Sequence, residues 1–142
     1  MNEPADGTVV STRLRVEGDW LIVLEGEHDV SSAPLLRQLT HEVWEQARRV
    51  VVDLSTAAFI DSSVITWLLR EQRALPAGSS LRIVEGEGGS VATRILDALD
   101  LRGALACYPT RRQACTWRTS ARHVERVERR PLHGHRPPPP RR

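Results

Sequence analysis

An α/β fold built on a mostly parallel sheet is what this sequence predicts, and three observations carry it. Short apolar runs recur along the chain: Trp20–Leu24, Val50–Leu54 and Leu81–Val84. Stretches with helical spacing separate them, which implies parallel pairing and right-handed crossovers. The chain has 142 residues, 40% of them apolar, enough for one domain plus a tail.

Residues 12–16 alternate polar and apolar, as in an edge strand. Gly18-Asp19 turns the chain into the buried strand Trp20–Leu24, which Gly26-Glu27-His28-Asp29 ends. Ser31 or Ser32 caps the next helix, with Pro34 in its first turn. Leu35, Leu36, Leu39, Val43 and Ala47 share one helical face. Val50–Leu54 is the central strand, and the helix after Ser63 runs to about Ala74, stopped by Pro76-Ala77-Gly78. Leu81–Glu85 is a strand, 86–89 a glycine-rich loop, and Ser90 caps a helix carrying Val91, Ile95, Leu96 and Leu99. Leu101–Tyr108 gives a short last strand, and Pro109-Thr110 opens a basic helix that runs to about Ala121 or beyond. The expected organisation is a flexible N-terminus over 1–10, one domain with about four helices over 11–121, and a disordered basic Pro/Arg-rich tail over 122–142.

Composition excludes several classes. No apolar run approaches the ~18 residues of a membrane-spanning helix. Met1–Gly7 lacks the basic-then-apolar pattern of a secretory signal, so a cytoplasmic setting is expected. Cys107 and Cys115 make no disulfide framework, and with His123 they match no zinc spacing. Residues 1–110 hold 10 Arg against 16 Asp and Glu, a net −6; residues 111–142 hold 10 Arg against 2 Glu, a net +8. The domain is acidic and the tail basic, so the overall +2 does not mark the domain as a nucleic-acid binder. Gly-x-Ser-x-Gly is absent, and Gly86-x-Gly88-Gly89 lacks the Walker lysine and the dinucleotide spacing. No catalytic residue, metal or cofactor is expected.

The chemistry-bearing stretch is Phe59-Ile60-Asp61-Ser62-Ser63. A buried strand runs into it and a helix leaves it, so a carboxylate and two hydroxyls meet the outward-pointing N–H groups of a first helical turn. An ordinary cap satisfies that pattern. So does a phosphorylated serine, because a phosphate there gains from the helix dipole. Loops leaving the carboxyl ends of neighbouring parallel strands lie side by side, which brings Asp29 and Asp61 onto one acidic rim. Trp67 falls off the apolar stripe of its helix and is expected to be exposed as a partner contact.

Gly26-Glu27-His28-Asp29, the Val50–Leu54 strand and Phe59-Ile60-Asp61-Ser62-Ser63, followed by Arg82-Ile83-Val84 and Arg94–Leu101, together resemble the STAS family, of the bacterial anti-sigma-factor antagonist type. The resemblance covers roughly residues 12–115. It implies a STAS-like fold and a protein-binding switch that is not an enzyme. By that resemblance the phospho-acceptor is Ser62, with Ser63 the second choice. Asp29, Asp61, Ser63 and Trp67 are then partner-binding positions. The implied partners are an anti-sigma factor with serine kinase activity, released when the serine is phosphorylated, and a phosphatase that resets it. Val64 departs from the family pattern, which has glycine after the second serine; a β-branched residue there narrows what can approach the backbone. A constitutive STAS scaffold that is never phosphorylated is the alternative. The Arg-rich tail reads as a solubilising extension or as a contact to an acidic partner, and the absence of Phe, Tyr or Trp after Trp117 disfavours base stacking.

Overall fold

The computed structural model describes residues 7–14 and 18–116, with the backbone of 124–131. Its strands are β1 (Thr8–Leu14), β2 (Asp19–His28), β3 (Arg49–Asp53), β4 (Ala57–Ile60), β5 (Ser80–Val84), β6 (Cys107–Tyr108) and β7 (Val124–Pro131). Its α-helices are α1 (Ala33–Trp44), α2 (Ser62–Arg73), α3 (Val91–Ala98) and the single turn α4 (Arg111–Ala114). They form one sheet in the order β6-β5-β3-β2-β1-β7, with β4 paired to β2 off this path. β2, β3, β5 and β6 run parallel, and β1 pairs antiparallel with β2 on one side and β7 on the other. The α/β, mostly parallel architecture is as the sequence predicts.

Period-2 alternation sorts the central strands between two faces. Trp20, Ile22, Leu24, Val50 and Val52 point to the face covered by α1, α2 and α3, where Leu36, Leu39, Val43, Leu68 and Leu96 meet them. Leu21, Val23 and Val51 point to the other face, with Ala114 of α4. Glu85 pins α3 and its loop: Arg102 grips both carboxylate oxygens at 2.5 and 2.6 Å, and Thr93 donates to Oε1 at 2.9 Å.

The boundaries differ from expectation in several places. The last strand, expected over Leu101–Tyr108, is only the two residues of β6, because the chain turns first, the Ala104 and Leu105 N–H groups donating to the Leu101 carbonyl at 3.0 Å. β1 starts at Thr8, inside the stretch assigned to a flexible terminus, and it is an interior strand rather than an edge. β2 does not end at Gly26. It bends there, at φ 79°, exchanges β3 for β4 as its parallel neighbour, and continues to His28. The helix expected to run from Pro109-Thr110 to about Ala121 is four residues long, capped by Thr110, and residues 117–121 lie outside the described residues. Residues 124–131, within the stretch assigned to a disordered tail, form β7: an open β1 edge offers a row of unpaired N–H and C=O groups, and this segment fills it. Residues 132–142 lie outside the described residues.

Candidate functional site

The site sits where β2 and β4 end together. His28 pairs with Ile60 in register, and the Asp61 N–H donates to the His28 carbonyl at 3.2 Å. Asp29 and Asp61 follow directly on these strand ends, so the two carboxylates leave neighbouring strands on one rim as expected, but the strand beside β2 there is β4 rather than β3. Glu27, opposite Phe59, adds a third acid. Beneath them His28 is fully buried, its Nε2–H donating to the Glu25 carbonyl at 2.9 Å. Gly7 lies so close above it that a Cβ there would stand 2.3 Å from the Glu27 carbonyl oxygen and 2.7 Å from the His28 ring. The start of β1 is therefore locked against the base of the rim.

Both aspartates are caps of the same design. Asp29 Oδ1 accepts from the Ser31 N–H at 2.9 Å and from its hydroxyl at 2.6 Å, opening the 3-10 turn Val30–Ser32 that leads into α1. Asp61 Oδ1 accepts from the Ser63 N–H at 2.9 Å and from its hydroxyl at 2.5 Å, opening α2. Asp53 repeats the motif at the end of β3, taking the Ser55 N–H and hydroxyl at 2.8 and 2.6 Å, but it is buried and also holds Arg111. Asp29, not Ser31 or Ser32, supplies the side-chain cap, and Ser32 makes no side-chain cap bond.

Ser62 and Ser63 are thus chemically distinct. The Ser63 hydroxyl is spent on Asp61. Ser62 is exposed in the first turn of α2, and its hydroxyl has no hydrogen-bond partner among the described residues. Its carbonyl accepts from the Thr66 hydroxyl at 2.9 Å. Val64 is 0% exposed and belongs to the core under α2, so its bulk faces inward and leaves the outer side of the turn open.

Trp67 is not exposed. It is 1% accessible and donates from Nε1 to the Thr40 hydroxyl at 3.3 Å, which in turn donates to the Leu36 carbonyl at 2.9 Å. The stripe on α2 accounts for its contact with the sheet, whereas α2 buries a second side against α1; Trp44 Nε1 donates to Glu71 across the same seam at 2.9 Å. Exposed apolar residues lie elsewhere around the rim. Val30, between Asp29 and Ser31, is 70% accessible, Phe59 48% and Leu35 41%. The helical wheel counts Leu35 as core, and Phe59 reads as loop because β4 is too short to register as a strand.

The cysteines lie apart from the site. Cys107 packs against the core under the helices and Cys115 against the opposite face, and both are free thiols. Burial pushes the Cys107 thiol up to about 11 and also raises that of Cys115. Arg102 holds the Glu85 carboxyl below its ordinary range, against the opposing effect of burial. Among the described residues no three His, Cys, Asp or Glu side chains stand together as metal ligands. Among them, too, no helix is long and apolar enough to cross a membrane.

The family model described as "Mlab, STAS domain" matches residues 8–106. Three solved structures are similar in fold. An anti-sigma factor antagonist from Mycobacterium paratuberculosis shares 24% identity at a TM-score of 0.66, over 76% of this chain and 92% of that one. The anti-sigma factor antagonist SpoIIAA in its unphosphorylated form shares 16% identity at 0.59, over 72% of this chain and 90% of that one. The Bacillus cell fate determinant SpoIIAA in its phosphorylated form shares 16% at 0.56, over 75% and 96%. No curated protein matches the chain.

Proposed function

The chain belongs to the STAS family, and from that premise we propose that it is an anti-sigma-factor antagonist: a protein-binding switch, not an enzyme, acting in the cytoplasm. Unphosphorylated, it holds an anti-sigma factor at the rim around Asp29 and Asp61. Phosphorylation of Ser62 by that partner ends the contact, and a phosphatase restores it.

One observation carries the reading. Ser62 is an exposed seryl hydroxyl with no partner among the described residues, in the first turn of a twelve-residue helix and beside two capping carboxylates. A phosphate on that hydroxyl gains from the N-terminal N–H groups and the dipole of α2, so the modification need not disturb the fold. It also brings roughly −1.5 to −2 of charge to a rim that already carries Glu27, Asp29 and Asp61. A partner seated there meets repulsion and lost contact. The apolar residues Val30, Phe59 and Leu35 supply surface for docking. The solved antagonists supply the matching fold, one in each phosphorylation state.

A constitutive STAS interaction module is the second reading, and the family model favours keeping it, since its description names no antagonist. Incubation with an anti-sigma-factor kinase and ATP, followed by mass spectrometry, separates the two. The switch reading expects phosphate on the peptide spanning 59–70, its loss in Ser62→Ala, and weakened partner binding by Ser62→Glu in calorimetry. Unmodified protein after prolonged incubation, with Ser62→Glu binding as well as the parent, leaves the module reading standing.

A further inference from the structure

We infer that β7 is a self-complementary edge, along which a second copy of this chain pairs antiparallel about a two-fold axis at Val127. The inference uses neither Ser62 nor the rim, so it stands apart from the switch reading. β7 ends the sheet order β6-β5-β3-β2-β1-β7, and among the described residues β1 is its one neighbour. A strand with one neighbour turns half of its backbone N–H and C=O groups outward, which makes it a template for another strand. β7 spans eight residues, Val124–Pro131, and lies beyond residue 106, where the family match ends. The edge is therefore an addition to the matched domain.

Sequence order selects the occupant. β7 reads Val-Glu-Arg-Val-Glu-Arg-Arg-Pro. Charges on an edge strand commonly keep other strands away, which for self-pairing requires like charges to meet. Here they do not. In an antiparallel pair centred on Val127, Glu125 stands opposite Arg129 of the second copy, and Arg126 opposite Glu128 of the second copy. Two-fold symmetry repeats both, giving four cross-strand pairs of unlike charge and none of like charge.

Other registers lose this match. Displacement by one residue sets Glu125 opposite Glu128 in one direction and Arg126 opposite Arg129 in the other. Displacement by two sets Arg126 opposite itself, or opposite Arg130. Pro131, which has no N–H to give, falls outside the seven paired residues 124–130. A closed two-fold contact joins the two sheets into one and uses up the outer edge of β7 in both copies, so the assembly stops at a dimer.

The test is static light scattering of the full chain and of charge-reversed variants. Seven residues per copy make a small contact, so the series runs from ~1 µM to ~1 mM. The parent is expected to pass from monomer to dimer within that range, and to dimerise more weakly at ~1 M salt. E125R and R129E each bring like charges together in two pairs, and each is expected to weaken dimerisation at least ~tenfold. An equal mixture of the two is expected to dimerise again, because an E125R copy facing an R129E copy has unlike charges at every charged pair. The double variant E125R/R129E is expected to match the parent, and it decides the matter where circular dichroism shows that a single variant has lost its fold. A parent that stays monomeric at ~1 mM overturns the proposal. Single variants that dimerise as the parent does overturn it too, as does a double variant that remains monomeric while the parent dimerises.

Discussion

Restoring the family glycine at position 64 is the most informative single change in this domain. Val64 is fully buried, within a core that includes Ile60, Ile65 and Leu68. Removing its side chain forfeits a burial worth roughly 1.5–3 kcal/mol. Glycine adds about 0.4 kcal/mol through its poorer helix propensity. Val64→Gly should therefore cost about 2–3.5 kcal/mol, measured as a shift in urea midpoint at unchanged slope. With an unfolding entropy of ~2.1 cal/mol/K per residue, a domain of this size loses about 3 °C per kcal/mol, so the melting temperature should drop by ~6–10 °C. The same substitution should leave the rate of Ser62 modification within about twofold, because the valine faces away from the turn's outer surface. A loss below ~1 kcal/mol, or a large acceleration of modification in Val64→Gly, would show that the side chain faces the partner and not the core.

Two predictions concern titratable groups away from the rim. Glu85 is buried and gripped by Arg102, so its carboxyl titrates below the ordinary 4.5. A depressed acid contributes stability above its unfolded pKa and loses it as pH falls through the folded one. The urea midpoint should therefore decline from about pH 4.5 downward, and Glu85→Gln should flatten that limb while lowering stability at pH 7. An unchanged acid limb in the variant would refute the assignment. Burial raises the thiols of Cys107, to about 11, and of Cys115, so both should react with a disulfide reagent at pH 8 far more slowly in the native than in the urea-unfolded protein. Equal rates in the two states would place them in solvent.

Strand and helix order was legible wherever a run was long and apolar. Trp20–Leu24, Val50–Leu54 and Leu81–Val84 have no competing reading, and their parallel pairing follows from the helices between them. The capping of α2 and α3 was equally legible, since Asp61 and Ser90 precede clear helical periodicity and make the expected bonds. β4 was not: four residues, two of them alanine, carry no strand signal, and they pair only because β2 bends at Gly26 and presents a fresh edge. Trp67 misled for a related reason. A wheel drawn against the sheet shows one buried face, whereas α2 also packs against α1, where the indole N–H finds Thr40. β7 was hidden by composition, because a charged, arginine-rich segment reads as tail until β1 offers it an edge. These three depend on contacts between segments distant in sequence, which no local pattern encodes.

The rim itself was readable in outline but not in its division of labour, and the three Asp-x-Ser turns supply what was missing. In each the aspartate consumes the N–H and the hydroxyl of the serine two residues on. A third residue in the turn gains nothing from this bonding and is simply presented by it. At 53–55 that middle residue is Leu54, turned into the core, and the turn is structural. At 29–31 it is Val30, turned to solvent, which adds apolar surface. At 61–63 it is Ser62, also turned to solvent, and here the presented group is a nucleophilic hydroxyl. With its own hydroxyl bound to Asp61, Ser63 fixes the turn, while Ser62 stands exposed beside it, which is why the proposed switch takes Ser62 as its acceptor. On that proposal, Ser63→Ala should loosen the turn and slow modification without abolishing it, whereas Ser62→Ala should abolish it and leave the turn intact, as phosphopeptide mass spectrometry would read. Equal loss of modification in the two variants would refute this division between the neighbouring serines, whose observed difference is the hydrogen bond to Asp61.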